Sequence, residues 1–338
     1  MEYIEQLQPI AEYQADDLAK VLPKLTTQNQ PAVFRGVANH WPLVQQAKQS
    51  DEALLDYLEQ GYTGRDIVAY QLPAEQQGRV FYDDSVQGFN YSSAQIKLSQ
   101  LLGALASESA SGGKQGFYMG STEANSLING FTDAHPLAIS QTELTSLWLG
   151  NRTRVAAHYD YPNNLAVCGG GRRRFTLFPP EQLANLYPGP LLFAPGGQEI
   201  SMVDFDNPDW QQFPKFKQAL EHGLTVTLEA GDALFIPSMW WHHVEGLDDI
   251  NLLVTHWWKQ TPSQSGRPMD ALLHSILNIR GLDKFERKHW QRLFDYYVFA
   301  DNQHGHIPAQ ALGILQQPIS AKNSQRLRAM LAEKLKYQ

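Results

Sequence analysis

The sequence predicts a mainly β fold, a sandwich or barrel of short strands, with flanking helices and a separate helical segment at the C-terminus. Three observations carry this. First, from Ser146 to about Trp258 the chain is a series of short apolar segments: 147–150, 154–158, 165–168, 173–178, 224–228, 233–236 and 252–257. Gly, Pro, Asn and Asp separate them, the punctuation of sandwiches and barrels. Second, the texture changes after Lys259. Pro262-Ser263-Gln264-Ser265-Gly266 reads as a linker, and Met269, Leu272, Leu273, Ile276 and Leu277 then follow helical spacing, as do Trp290, Leu293, Phe294 and Tyr297, and Leu327, Met330 and Leu331. Third, 338 residues are enough for one large domain and an appendage. The expected division is a strand-rich domain with N-terminal helices over residues 1–260 and a helical segment over 261–338.

The elements follow in order. Residues 14–25 read as a helix with Asp16 and Asp17 in its first turn, and 30–37 as a strand closed by Gly36. Ser50 caps a helix through Leu54, Leu55 and Leu58, with acidic Asp51 and Glu52 in its first turn. Strands are expected at 67–70 and 79–82, the second ending in the turn Asp83-Asp84. Ser99 is read as the cap of a helix carrying Leu101, Leu102 and Leu105. The Ser- and Gly-rich run 107–116 reads as a surface loop and 117–119 as a short strand. Gly231-Asp232 is read as the turn that launches the strand leading to Trp240-Trp241-His242-His243. There is no internal repeat.

Composition narrows the setting. With 43% hydrophobic and 18% charged residues the chain resembles an ordinary soluble protein, and a net charge of −8 argues against a generic nucleic-acid surface. A single cysteine, Cys168, excludes an intramolecular disulfide framework and fits a reducing compartment. The first residues show neither a basic region nor an apolar run, and no stretch is long and apolar enough to span a bilayer. A cytoplasmic protein without a membrane partner is the expectation.

The chemistry centres on His158-Tyr159-Asp160. Side chains alternate along a strand, so a His-x-Asp pair presents both groups on one face. A third imidazole from a distant strand would make the two-histidine, one-carboxylate set that holds Fe(II) with open positions. The plain alternative is a surface His and Asp in a loop. Tyr161 to Asn164 reads as a turn, Gly169-Gly170-Gly171 as a second, and Arg172 to Pro180 as a strand with a hard stop. Alternation places Arg173 on one face with Phe175 and Leu177. An arginine among apolar residues is costly unless it meets an anion, and a guanidinium grips a carboxylate with two parallel hydrogen bonds. A dicarboxylate such as 2-oxoglutarate would suit. The alternatives are an internal Asp or Glu partner, or a solvated patch of all three arginines. In Trp240-Trp241-His242-His243, His242 and His243 fall on opposite faces, and alternation does not choose between them. His256 is read as core or as a neighbour of the site.

Longer stretches raise the metal reading. Arg79 to Asp84, Leu177 to Gln182, Leu186 to Pro188, Val203 to Asp209 and Gly231 to Pro237 resemble signature segments of the JmjC/cupin-like family of Fe(II)- and 2-oxoglutarate-dependent oxygenases, its asparaginyl hydroxylases above all. The likeness covers residues 30–259. It implies a double-stranded β-helix (jelly-roll) barrel with a C-terminal helical bundle, and it implies His242 as the third ligand beside His158 and Asp160. It places Arg173 where those hydroxylases carry a lysine for the far carboxylate of 2-oxoglutarate, with Tyr118 assisting, Asn164 near the iron and Trp257 lining the site. Val155 stands where a threonine is expected and Thr255 where an asparagine is expected. Fe(II) and 2-oxoglutarate are the implied cofactor and cosubstrate, and the C-terminal helices the implied homodimer interface. The implied reaction is hydroxylation of a C–H bond on a protein or peptide side chain. The alternatives are a tRNA base or small molecule as substrate, a metal cupin that binds or isomerises a sugar, and a non-catalytic binding module. The target, and the choice between hydroxylation and demethylation, are not legible in the sequence.

Overall fold

A computed structural model describes residues 2–139, 142–259, 265–300 and 304–336. The chain divides into two compact units, Met1–Lys259 and Gln260–Gln338. The first is built on fifteen strands among the described residues: β1 (Gln8–Pro9), β2 (Glu12–Gln14), β3 (Ala32–Arg35), β4 (Asp66–Leu72), β5 (Arg79–Val80), β6 (Ser92–Lys97), β7 (Gly116–Glu123), β8 (Leu144–Gly150), β9 (Arg154–Tyr159), β10 (Asn163–Gly170), β11 (Arg173–Phe178), β12 (Leu224–Leu228), β13 (Ala233–Ile236), β14 (Trp241–Gly246) and β15 (Asn251–Trp258). They form a six-stranded sheet, β1-β12-β11-β14-β9-β5, and a nine-stranded sheet, β2-β3-β13-β10-β15-β8-β7-β4-β6. Phe175, Leu177, Val226 and Val244 from the smaller sheet pack with Val33, Ala166, Leu234 and Leu253 from the larger. The two inner faces thus share a core, as in a jelly-roll.

The other face of the larger sheet carries the helices. Helix Leu18–Gln28 buries Leu18, Leu22 and Leu25, and helix Asp51–Gly61 buries Leu54, Leu55 and Leu58. Ser50 caps the latter, its Oγ accepting from the Ala53 amide at 3.1 Å. Helix Leu98–Ser111 buries Leu98, Leu101, Leu102 and Leu105. These side chains meet Phe34, Leu147, Leu149, Leu165 and Val254 in one cluster.

Several elements differ from the sequence reading. Helix Leu98–Ser111 starts after Lys97, so Ser99 lies inside its first turn and bonds Glu59 at 2.6 Å instead of capping. The same helix runs through Ser107 to Ser111, and the expected loop shrinks to the residues between it and β7. Asp160 lies one residue past the end of β9 rather than on it. The turn Gly231-Asp232 launches β13 in the larger sheet; the Trp240–His243 run leads into a different strand, β14, in the smaller one. Pro237 breaks the run between them, since it cannot donate to a ladder. At that turn Gly231 has φ +104°, and a side chain would collide with Asn39. Asp232 accepts from the Gly36 amide at 2.9 Å and pairs with Arg35 at 2.7 Å.

The second unit contains helices Pro268–Ile279, Lys284–Phe294 and Ala321–Leu335, with a π turn over Asp295–Phe299. The proposed linker 262–266 lies outside the described residues except for Ser265 and Gly266. No helix among the described residues is long and apolar enough to cross a membrane.

On the outward face of the smaller sheet Arg174 reaches across to Glu245, making two 2.7 Å hydrogen bonds, and His243 lies 3.6 Å from the same carboxylate. Burial works to raise the Glu245 pKa, but His243 and Arg174 outweigh it and hold the carboxyl down at about 2. Its contribution to stability is present above the unfolded carboxyl's range and is lost as pH falls toward 2. Glu245→Gln should destabilise the protein at neutral pH by about 3 kcal/mol, because the buried negative charge between Arg174 and His243 is removed. Urea unfolding should show the gap to wild type narrowing as pH drops from about 5 to about 3. A gap that stays constant across that range would remove the ion pair from this role.

Candidate metal centre

The site begins with strand register. Antiparallel β9 and β14 are neighbours, and His158 stands directly opposite His242. Opposed residues project from the same face, so the two rings meet with centroids 4.3 Å apart. Asp160, two residues on, brings its Oδ2 to 3.7 Å from His242 Nε2. One donor atom from each of His158, Asp160 and His242 lies within 4.8 Å of the others, and among the described residues this is the one such group of three.

Both imidazoles are oriented by their own strands. His158 Nδ1 lies 2.9 Å from the Ala156 carbonyl and His242 Nδ1 lies 3.0 Å from that of Trp240. A carbonyl only accepts, so these bonds select the Nδ1–H tautomer and leave each Nε2 lone pair free. Burial, and then His158, lower the His242 pKa to about 4, which keeps that ring neutral in ordinary conditions. His243 points the other way, with its ring 4.8 Å from Phe205. The structure thus brings His242, and not His243, to the pair at 158 and 160.

A bulge shapes the rest of this wall. Between the His158–His242 and Val155–Val244 pairs, β9 carries two residues, Ala156 and Ala157, against the single His243. Val155 is thereby turned inward, and Arg154 lies outside with Asp204 and Asp206.

The three donors line a cavity of about 660 Å³, and Tyr118, Asn164, Arg173, Thr255 and Trp257 line it too. Arg173 is 2% exposed. Its neighbours in sequence are paired, Arg172 with Asp248 at 2.7 Å and Arg174 with Glu245. Among the described residues no carboxylate lies within ion-pair distance of Arg173. Its Nη2 makes only long bonds, 3.4 Å to the Trp148 carbonyl and 3.3 Å to that of Asn251, and its Nε has no partner. Burial pulls its pKa below the usual range, with Tyr118 and Cys168 acting in the opposite sense. The Tyr118 phenol is pushed up by burial and stays a neutral donor.

Other polar groups in the cavity are also unpartnered: Asn164 Oδ1 and Trp257 Nε1 are buried without a hydrogen bond in the described structure. Buried polar atoms of this kind are ordinarily satisfied. Together with an anion-seeking guanidinium and a His-Asp-His donor set, they fit a divalent metal and an anionic organic ligand. His256 is not part of this group. Its neighbours Thr255 and Trp257 face the cavity, whereas its own ring packs against Trp41 and Thr145. Trp148, which the sequence reading treated only as part of an apolar strand, also lines the cavity. Leu147 and Leu149 are fully buried, and alternation sends the residue between them to the opposite face.

Comparison with known proteins identifies the family. A family model described as a cupin-like domain matches residues 19–264. HSPB1-associated protein 1 of Homo sapiens is 33% identical over 135 residues, covering 39% of this chain and 27% of that protein. Lysine-specific demethylase JMJ31 of Arabidopsis thaliana is 32% identical over 127 residues, 37% of this chain and 23% of that protein. tRNA wybutosine-synthesizing protein 5 of Gallus gallus is 34% identical over 107 residues, 32% of this chain and 30% of that protein. The aligned stretches thus span less than a third of these relatives. The family model, by contrast, extends over well more than half of the chain, from the first long helix to just past the last strand; the chain belongs to the cupin-like family.

Proposed function

We propose that this chain is an Fe(II)- and 2-oxoglutarate-dependent dioxygenase that hydroxylates a C–H bond on a protein or peptide side chain. The observation that carries the proposal is Arg173, a buried guanidinium without a carboxylate partner, in one cavity with two histidines and an aspartate. Fe(II) would be held by His158 Nε2, His242 Nε2 and a carboxylate oxygen of Asp160. Bound there, Fe(II) and 2-oxoglutarate would supply the oxidation of a C–H bond by dioxygen, with succinate and carbon dioxide as the coproducts.

The protein's part is to bind, orient and exclude water. Arg173 supplies the charge for the far carboxylate of 2-oxoglutarate and Tyr118 a second donor. Asn164 and Trp257 offer the cavity a polar oxygen and an indole N–H. Val155 contributes shape alone, since it has no polar group where the family resemblance expects a threonine. The Ala156 and Trp240 carbonyls hold the imidazoles in the tautomer a metal needs.

The charge at the cavity mouth favours a polypeptide over a polyanion. Away from the three donors and Arg173, the charged lining residues are Arg65, Asp66 and Glu123. A nucleic-acid site would gather basic residues there to neutralise phosphates. The tRNA-modifying relative motivates the second reading, a base or small-molecule hydroxylase of the same kind. A sugar-binding metal cupin leaves the buried guanidinium unexplained. Demethylation starts from the same hydroxylation, and product mass distinguishes the two. The C-terminal unit leaves Trp290, Leu293, Met330 and Leu331 substantially exposed. We include in the proposal that a second copy covers them, as a homodimer.

Two outcomes test the site. His158→Ala and Asp160→Ala should each abolish succinate formation from 2-oxoglutarate, and succinate production retained in both variants would end the oxygenase reading. Arg173→Met should lower kcat/KM for 2-oxoglutarate by about 100-fold, the size of a lost charge-assisted hydrogen bond. In the Mn(II)-loaded protein, 2-oxoglutarate should raise the melting temperature of wild type and not of Arg173→Met; no shift in wild type would point to the sugar-binding cupin.

A further inference from the structure

Resting on the 2-oxoglutarate reading above, we propose that Trp148, held by Thr255, is the positioning residue of the cosubstrate pocket. Thr255, on this account, acts through Trp148 and not by touching 2-oxoglutarate.

Four contacts converge on Trp148. Its carbonyl accepts from Arg173 Nη2 at 3.4 Å. Its ring lies 6.5 Å from that of Tyr118, at 29° between planes. The ring of Trp257 meets it edge-on at 6.0 Å and 65°. At the far tip, the indole Nε1–H donates to Thr255 Oγ1 at 2.9 Å. Trp148 therefore neighbours both groups assigned to the far carboxylate, Arg173 through its main-chain carbonyl and Tyr118 through its ring, as well as the aromatic wall beside them.

Thr255 has its hydroxyl oxygen engaged. Its O–H points toward the Ser146 carbonyl at 3.4 Å, a long contact, and the firm bond is the 2.9 Å one that a lone pair accepts from the indole N–H. What it does supply is an anchor for a side chain with only two free torsions. Fixing the indole at its tip fixes both, and with them the surface against which the Tyr118 ring lies. Thr255 is 2% exposed, and removal of its hydroxyl leaves the indole N–H without this acceptor.

The test uses the full chain loaded with Mn(II), titrated calorimetrically with 2-oxoglutarate. Thr255→Val keeps the volume and removes the acceptor; Trp148→Phe keeps a ring and removes the N–H. Each should weaken 2-oxoglutarate binding by about tenfold. The double variant should bind no more weakly than the worse single one, because both changes delete one bond. Thr255→Ser should restore wild-type binding, and Mn(II) affinity should hold in every variant. In turnover, KM for 2-oxoglutarate should rise more than kcat falls. Wild-type binding in Thr255→Val, or losses that multiply in the double variant, would overturn the proposal. Should Thr255→Val not fold, Trp148→Phe decides by itself, with undiminished binding counting against the role. Wild type that binds no 2-oxoglutarate would instead bring down the cosubstrate reading.

Discussion

Everything at this site depends on one cross-strand register, the pairing of His158 with His242. Antiparallel strands set opposed side chains about 5 Å apart on one face, close enough for two imidazoles to share an ion. A slip of one residue would exchange His242 for His243 and send the second ring to the outer face. That slip is resisted from both sides. Inward Val244 of β14 and Phe175 and Leu177 of β11 fill the shared core, while outward Glu245 is tied to Arg174. The ladder that holds the barrel closed is the same ladder that aligns the donors.

The second constraint is electrostatic. Three consecutive arginines lead into β11, and the first and third go outward to acidic partners. The middle one is carried inward, where desolvation opposes its charge and two long bonds to carbonyls do little to compensate. A structure keeps such a group when something with negative charge arrives. The orphaned Asn164 oxygen and Trp257 N–H in the same cavity have the same logic: polar groups set in advance for a ligand, at the expense of the folded state without it.

Much of the fold was legible because short strands announce themselves through composition. The bounds of β12 and β13 agree with the sequence reading residue for residue. Two of the misreadings share a cause, a local pattern overridden by packing. Ser99 has the composition of a helix cap, but its hydroxyl is taken by Glu59 and the helix starts earlier. The run 107–111 looks like a loop by its serines, but Leu101, Leu102 and Leu105 anchor a helix long enough to carry it. Trp148 was visible in principle, since Leu147 and Leu149 flank it, but nothing in the sequence says which face of that strand holds the cavity.

By itself the sequence determined the chemistry on offer: a His-x-Asp pair, an arginine set among apolar residues, and two further histidines side by side. These are matters of residue type and of a two-residue period, both local. Only the tertiary structure decided which histidine joins the pair, which arginine goes without a partner, and that the Thr255 hydroxyl is spent on an indole. Those outcomes rest on strand register, on a bulge at Ala156 and Ala157, and on contacts between residues a hundred positions apart. Side-chain alternation states which residues share a face, but the face a strand turns inward is settled only when another sheet packs against it.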